Sequence, residues 1–327
     1  MKKRVLVIGG TGIMGIYLCP KLIECGYEVD AITIEMRKPC PEVNYIFADA
    51  MNDATLTEIV KNGSYDAIVD FMWYTAETFA PRMEMLLSST SHYFLTSSYR
   101  VYADSGKTPL TEESPRLYEV LTDPEFFETE NYAREKSLME NMLLKSSYNN
   151  WTVLRPTVVY SIDNYPLVCF SRKILTSRAK QGKKLILPRD VMDKSTTMIW
   201  AGDVAKMISG LMFKENVKRE MYTVGTKETI TWGELYEFYH EEIGLEAELI
   251  GTEDFLEKIY TRRKDRWLIF TDRLYDRAVD NSKILRDSGV SESELMSVRD
   301  GLRLVLSLAS EDYPMEYKMD KYLEEKN

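Results

Sequence analysis

Seven residues near the start of the chain, Gly9-Gly10-Thr11-Gly12-Ile13-Met14-Gly15, leave few folds open to it. They follow an apolar β-branched run at residues 5–8 and open a stretch, 13–25, whose apolar residues recur at helical spacing. Glycines in such a turn let the chain bend tightly and let its backbone approach a pyrophosphate, which the following helix N-terminus stabilises. Gly10, Gly12 and Gly15 satisfy GxGxxG, and Gly9, Gly12 and Gly15 satisfy GxxGxxG. The string alone is weak. Between a strand and a helix it predicts dinucleotide binding through Gly9, Gly12, Ile13, Met14 and Gly15.

The residues that follow keep the same rhythm. Strands are expected at 28–34, 45–47, 67–71, 92–96 and 152–154, and helices at 55–61, 75–87 and 132–145. Such alternation makes a parallel sheet covered by helices on both faces, an α/β, doubly wound fold of Rossmann type, with ligands at the carboxyl ends of the strands. After Tyr160 the pattern becomes irregular, although a helix at 203–213 and a strand at 221–224 are placed to rejoin the sheet. The expected organisation is a dinucleotide-binding domain over 1–165, rejoined by 199–225. A smaller mixed α/β substrate domain would come from 166–198 and 226–327.

Composition removes several function classes. No apolar run in the 327 residues approaches the ~18 needed to span a bilayer. The Met-Lys-Lys-Arg start is followed by an apolar stretch that breaks at Gly9 and Gly10, with no small-residue cleavage site. A cytoplasmic protein is expected. Cys19, Cys25, Cys40 and Cys169 are scattered, and His92 and His240 are the two histidines, so no metal site is expected. A net charge of −10 argues against nucleic acid as a partner. The basic cluster Arg262, Arg263, Lys264 and Arg266 reads first as a solvated face and second as a phosphate contact.

Two further strings carry chemistry. In Tyr132-Ala133-Arg134-Glu135-Lys136, the phenol and the ammonium stand four residues apart on one helix face. A neighbouring cation favours phenolate, which suits tyrosine for acid/base work near neutrality. Upstream stands Thr96-Ser97-Ser98-Tyr99-Arg100-Val101-Tyr102, directly after a strand. Arg155-Pro156-Thr157-Val158-Val159-Tyr160 and Asp203-Val204-Ala205 follow in turn. Five motifs in this order, over roughly residues 4–225, resemble the extended short-chain dehydrogenases/reductases, and within them the NAD-dependent epimerase/dehydratase family of nucleotide-sugar 4-epimerases. The resemblance implies roles. Ser98 would hydrogen-bond the reacting oxygen, Tyr132 would be the acid/base, and Lys136 would hold the nicotinamide ribose and tune the tyrosine. Phe71, Met72, Trp73 and Thr96 would pass the cofactor, with Pro156 and Val158 flanking the nicotinamide ring. Asp49, with Ala50 beside it, would accept from the adenine amino group, or else cap a turn.

The chain also departs from that pattern. Thr33 stands where an aspartate for the adenosine ribose is usual. Glu35 is placed to substitute for it, whereas Arg37 and Lys38 would suit a 2′-phosphate, so NAD and NADP both stay open. Thr196 occupies the place of an arginine that clamps the substrate diphosphate, which Arg172, Arg189, Lys194, Arg273 or Arg277 would then have to replace. Ser98, Tyr99 and Arg100 stand where 4,6-dehydratases have Thr-Asp-Glu, which argues against that reaction. The leading expectation is an epimerase acting on a nucleotide-linked or similar sugar through a transient keto intermediate. The alternatives are an NADPH-dependent keto-sugar reductase and a non-enzymatic dinucleotide sensor or RNA-associated protein of the same fold. Met83, Met85, Met139 and Met142, on the two helices through which such proteins commonly pair, predict a homodimer or else simply fill the core.

Overall fold

The structure is a computed structural model, which describes residues 2–35, 39–130, 132–262, 265–308, 319 and 322–323. Arg37, Lys38, Arg263 and Lys264 lie outside the described residues.

Among the described residues the strands run β1 (Arg4–Ile8), β2 (Glu28–Thr33), β3 (Asn44–Phe47), β4 (Ala67–Asp70), β5 (His92–Thr96), β6 (Trp151–Pro156), β7 (Val158–Tyr160), β8 (Leu185–Pro188), β9 (Ser195–Trp200), β10 (Glu220–Val224), β11 (Thr229–Thr231) and β12 (Ala247–Ile250). Seven form one all-parallel sheet in the order β10-β6-β5-β4-β1-β2-β3. Val5, Leu6, Val7 and Ile8 of β1 have no exposed surface, as a strand covered on both faces requires. The chain order reverses between β1 and β4, whose last residues Ile8 and Asp70 are paired. A crevice opens beyond the carboxyl ends of the strands at such a reversal, and the glycine loop leaves β1 at that point.

The helices that frame the sheet are α1 (Gly15–Glu24), α2 (Asp53–Gly63), α3 (Ala76–Ser88), α4 (Leu117–Val120), α5 (Pro124–Thr129), α6 (Tyr132–Lys145), α7 (Arg172–Gln181), α8 (Ala201–Leu211) and α9 (Trp232–Ile243). α1 begins at Gly15, so Ile13 and Met14 belong to the loop rather than the helix. α3 begins at Ala76 because the Thr75 and Thr78 side chains cap it reciprocally. β6 continues through Arg155, which would ordinarily end a buried strand, because Glu140 of α6 neutralises it there (Nη2 to Oε2, 2.7 Å).

The remaining strands form a three-stranded sheet, β11-β9-β7, and a β12-β8 pair. Their core joins Tyr160, Leu187, Met198, Ile230, Trp232 and Phe238. Met139 is fully buried, while Met83, Met85 and Met142 are partly buried against the core under α3 and α6. Among the described residues no helix is long and apolar enough to cross a membrane.

Candidate active site

The crevice is a cavity of about 520 Å³ lined by Gly9, Thr11, Gly12, Ile13, Met14, Thr33, Glu35, Asp49, Ala50, Phe71, Met72, Trp73, Thr96, Ser97, Tyr132 and Lys136, among others. The glycine loop, the ends of β2 and β3, the segment after β4, the end of β5 and the first turns of α6 therefore meet at one place.

The glycines divide the work. A Cβ on Gly10 would lie 2.5 Å from Ala31 Cβ, and one on Gly15 would lie 2.5 Å from the Gly10 carbonyl carbon. These two let the loop pack onto β2 and onto itself. Gly12 is different: its added Cβ would meet Gly9 O at 3.2 Å and nothing else within 4 Å, on the open side of the loop. Gly9 adopts a φ of +79°, which glycine reaches without strain.

At the end of β2, the Thr11 and Thr33 hydroxyls contact each other, and both donate to Glu35 O, at 3.0 and 2.5 Å. Thr33 thus shapes the turn that leads to Glu35, which lines the cavity. Asp49 lines the same end while its Oδ1 accepts from Met51 N at 2.8 Å, so it holds a turn and faces the cavity at once.

At the other end, Tyr132 and Lys136 occupy successive turns of α6 and both line the cavity. Lys136 is almost fully buried and donates to Thr96 O at 2.6 Å. Burial pushes its ammonium down to about 8, against the opposing pull of Asp70 and Glu140. Asp70, at the end of β4, is itself buried and its carboxyl is raised by that burial. It accepts from Met72 N (2.9 Å), Tyr74 OH (3.0 Å) and Tyr93 OH (3.0 Å). The bulky Met72-Trp73-Tyr74 segment is accommodated by turning Tyr74 inward onto Asp70 and Phe79, while Met72 and Trp73 face the cavity.

Ser97 lines the cavity and donates to Glu140 Oε1 at 2.5 Å. Ser98, its neighbour, accepts from Arg100 N at 3.2 Å and heads the short turn Tyr99–Val101. Glu140 also receives Arg155 Nε (2.9 Å) and Arg116 Nη1 (3.1 Å), and Arg155 reaches Tyr102 OH (3.1 Å). The Val101-Tyr102 and Arg155-Pro156 motifs are therefore joined directly by Arg155, which Glu140 holds from the helix that carries Tyr132. Pro156 ends β6 and Val158 opens β7, outside the cavity lining.

The residues suggested for substrate divide into two groups. Tyr99 donates to Asp272 Oδ2 (3.0 Å), Arg273 donates to Tyr99 OH (3.2 Å) and Val168 O (2.8 Å), and Arg100 lies over the ring of Tyr132, 5.0 Å from its centroid. Asp272 and Arg273 belong to a five-residue π-helical turn, Ile269–Arg273, a distortion that often marks functional regions. Thr196, by contrast, is buried in β9 opposite Ile230, and Arg189 lies at the surface, donating to Leu249 O at 2.9 Å. Neither group lines the cavity, nor does Ser98.

No motif pointed to Asp70, Glu130 or Glu140. Glu130 was the most accessible of them, since an acidic residue just ahead of a helix is a capping signal. Its carboxylate accepts from Tyr132 N, Ala133 N and Arg134 N at 3.0, 3.0 and 2.9 Å. Among the described residues, no group of His, Cys, Asp and Glu could hold a metal ion.

A dinucleotide suits this cavity on an independent ground. The Thr96 hydroxyl is buried in the lining with no hydrogen-bond partner among the described residues, a polar group that a bound ligand would satisfy.

Known proteins resemble this chain in sequence and in fold. A relative from Arabidopsis thaliana, chloroplast stem-loop binding protein of 41 kDa b, is 26% identical over 247 residues, which cover 71% of this chain and 61% of that protein. The chain thus spans about three fifths of that relative's length. A UDP-glucose 4-epimerase from Klebsiella pneumoniae is 28% identical over 137 residues, covering 33% of this chain and 99% of that sequence. Among solved structures, the dTDP-glucose 4,6-dehydratase from Bacillus anthracis in complex with NAD superposes with a TM-score of 0.69 at 18% identity, over 94% of this chain and 96% of that one. The pattern of the NAD dependent epimerase/dehydratase family matches residues 5–225. The chain therefore belongs to the NAD-dependent epimerase/dehydratase family.

Proposed function

We propose that the protein is an NAD-dependent epimerase of a nucleotide-linked or similar sugar, with Tyr132 as its acid/base. One observation supports this above the others: Tyr132 and Lys136 line the same cavity as the glycine loop, Glu35 and Asp49. Gly12, Ile13 and Met14 would meet the pyrophosphate, Asp49 the adenine, Glu35 the adenosine ribose, and Lys136 and Thr96 the nicotinamide end. When bound, the dinucleotide supplies the hydride acceptor and donor. Tyr132 takes the proton of a sugar hydroxyl as its carbon becomes a carbonyl, and returns that proton when the carbonyl is reduced from the other face. Ser98 holds the reacting oxygen, and the buried Asp70 and Glu140 offset the charge of Lys136. The Glu35 carboxylate disfavours a 2′-phosphate, which favours NAD over NADP.

The test is incubation of the purified protein with UDP-glucose, dTDP-glucose and related sugar nucleotides, with isomer formation followed by proton NMR. Isomer formed by the wild type and lost in Tyr132→Phe supports the reading. Steady NAD(P)H consumption without isomer supports a keto-sugar reductase.

A second reading comes from the Arabidopsis relative, whose name refers to stem-loop binding. The net charge of −10 opposes it, because phosphate backbones are held by clustered cations. Gel-shift titration with a structured RNA separates the two readings. Pairing of two copies through α3 and α6 is part of the same proposal, and light scattering at micromolar concentration tests it.

A further inference from the structure

We propose that Arg100 is a positioning residue for Tyr132, holding its ring and supplying a second fixed cation to the site. The inference rests on the reading of Tyr132 as the acid/base, and it starts from three contacts made by one side chain and its backbone. The Arg100 amide donates to Ser98 Oγ at 3.2 Å, which places the residue beside the serine that heads the turn after β5. Its guanidinium carbon lies 5.0 Å from the Tyr132 ring centroid. Its Nη2 lies 3.7 Å from Glu130 Oε1, and Glu130 is the buried carboxylate that caps α6 by accepting from the amides of residues 132, 133 and 134. Arg100 therefore ties Ser98, the Tyr132 side chain and the Tyr132 backbone into one unit.

A salt bridge to Glu130 alone would not require the guanidinium to lie over the ring. The placement matters electrostatically, because a cation over an aromatic face is attracted to its quadrupole and far more strongly to a phenolate. Lys136, the other cation of the site, is weakened in that role by burial, which lowers it to about 8. A guanidinium keeps its charge throughout the working range. The charged groups around Tyr132 are accounted for on each side. Lys136 follows it on α6, where Arg134 and Glu135 pair with each other at 2.7 Å. Glu130 precedes it, and Arg100 covers it from the turn after β5. Asp272 and Arg273 of the π-helical turn are joined to each other and engage Tyr99 instead. Arg100 Nε, buried and without a partner among the described residues, leaves the guanidinium one unused donor on this face.

The experiment is steady-state kinetics of sugar interconversion by Arg100→Gln and Arg100→Lys beside the wild type. Arg100→Gln should lower kcat by about tenfold or more with KM little changed, the signature of an interaction made in the transition state. Arg100→Lys should recover part of that loss. A kcat unchanged by Arg100→Gln overturns the proposal. Should Arg100→Gln fail to fold, the side-chain NMR signals of Arg100 in the wild type decide instead. They should sit upfield of their position in Tyr132→Leu by a ring-current shift, and identical positions overturn the stacking. Failure of the underlying reading looks different: Tyr132→Phe would then keep sugar interconversion, whatever the Arg100 variants show.

Discussion

Lys136 reaches from the second turn of α6 to the last residue of β5, donating to the Thr96 carbonyl at 2.6 Å. This contact binds the helix carrying Tyr132 to the strand end that carries Ser97 and Ser98, so the relative placement of these groups follows from secondary structure. It also leaves an ammonium in a nearly dry place, 3% exposed, where burial lowers it from 10.5 to about 8.

That burial predicts a particular dependence of stability on pH. In the folded protein Lys136 loses its proton near 8, whereas in the unfolded chain it keeps it to about 10.5. Between these values the unfolded state binds more protons, so rising pH stabilises the fold. The desolvation cost is fully present below 8 and vanishes above 10.5. Relative to Lys136→Met, the wild type should gain roughly 1.4 kcal/mol per pH unit across that window. Urea unfolding of both proteins at several pH values measures it, and parallel curves would show that Lys136 is not desolvated.

The glycine loop yields a contrast between two substitutions of the same size. Gly15→Ala drives a methyl into the Gly10 backbone and should lower stability by about 1–3 kcal/mol, the scale of overpacking. Gly12→Ala meets only Gly9 O at 3.2 Å and should keep most of the stability while weakening dinucleotide binding tenfold or more, about 1.4 kcal/mol. Thermal melts with and without NAD separate these outcomes. Undiminished NAD affinity in folded Gly12→Ala would remove the open face of the loop from the binding site.

Glu35 makes cofactor choice testable at one side chain. If its carboxylate meets the adenosine ribose, Glu35→Ala should weaken NAD by about 1.5–3 kcal/mol, as for a lost charged hydrogen bond, and should leave NADP unchanged or improved. Arg37→Ala should leave NAD binding as it was. The opposite pattern in a fluorescence titration, with Arg37→Ala weakening NADP alone, would assign the protein to NADP.

Much of this arrangement was legible in the chain because the informative residues obey local rules. The apolar run 5–8, the glycine spacing and the i,i+4 pair at Tyr132 and Lys136 each depend on neighbours within one turn or one strand. His92–Thr96 and Tyr132–Lys145 were delimited to the residue for the same reason. Other features depend on partners distant in sequence. Glu140 joins Ser97, Arg116 and Arg155, and Asp70 gathers Tyr74 and Tyr93, with no periodicity to announce either. The substrate side was hardest for a related reason. Arg273 meets Tyr99 from a π-helical turn far along the chain, a pairing that distance from Asp203 in sequence could not give.

The reaction type is decided by what happens to the cofactor between half-reactions. An epimerase removes hydride from one face of a sugar carbon and returns it to the other, so the dinucleotide ends each cycle as it began. Its release midway would strand the keto intermediate, and tight retention is therefore an advantage. A reductase must exchange its dinucleotide every turnover and gains nothing from retention. Retention would draw on the glycine loop, the buried Lys136 ammonium and the unsatisfied Thr96 hydroxyl, which meet at one cavity. The expected outcome is that protein purified without added cofactor releases NAD on denaturation, and that it interconverts its sugar with no dinucleotide supplied. Tyr132→Phe should keep that bound NAD while reducing turnover by roughly 10²-fold or more, as for a lost general acid/base. Protein that emerges free of dinucleotide, and that oxidises NAD(P)H in step with a keto-sugar without forming an isomer, would move the assignment to a reductase.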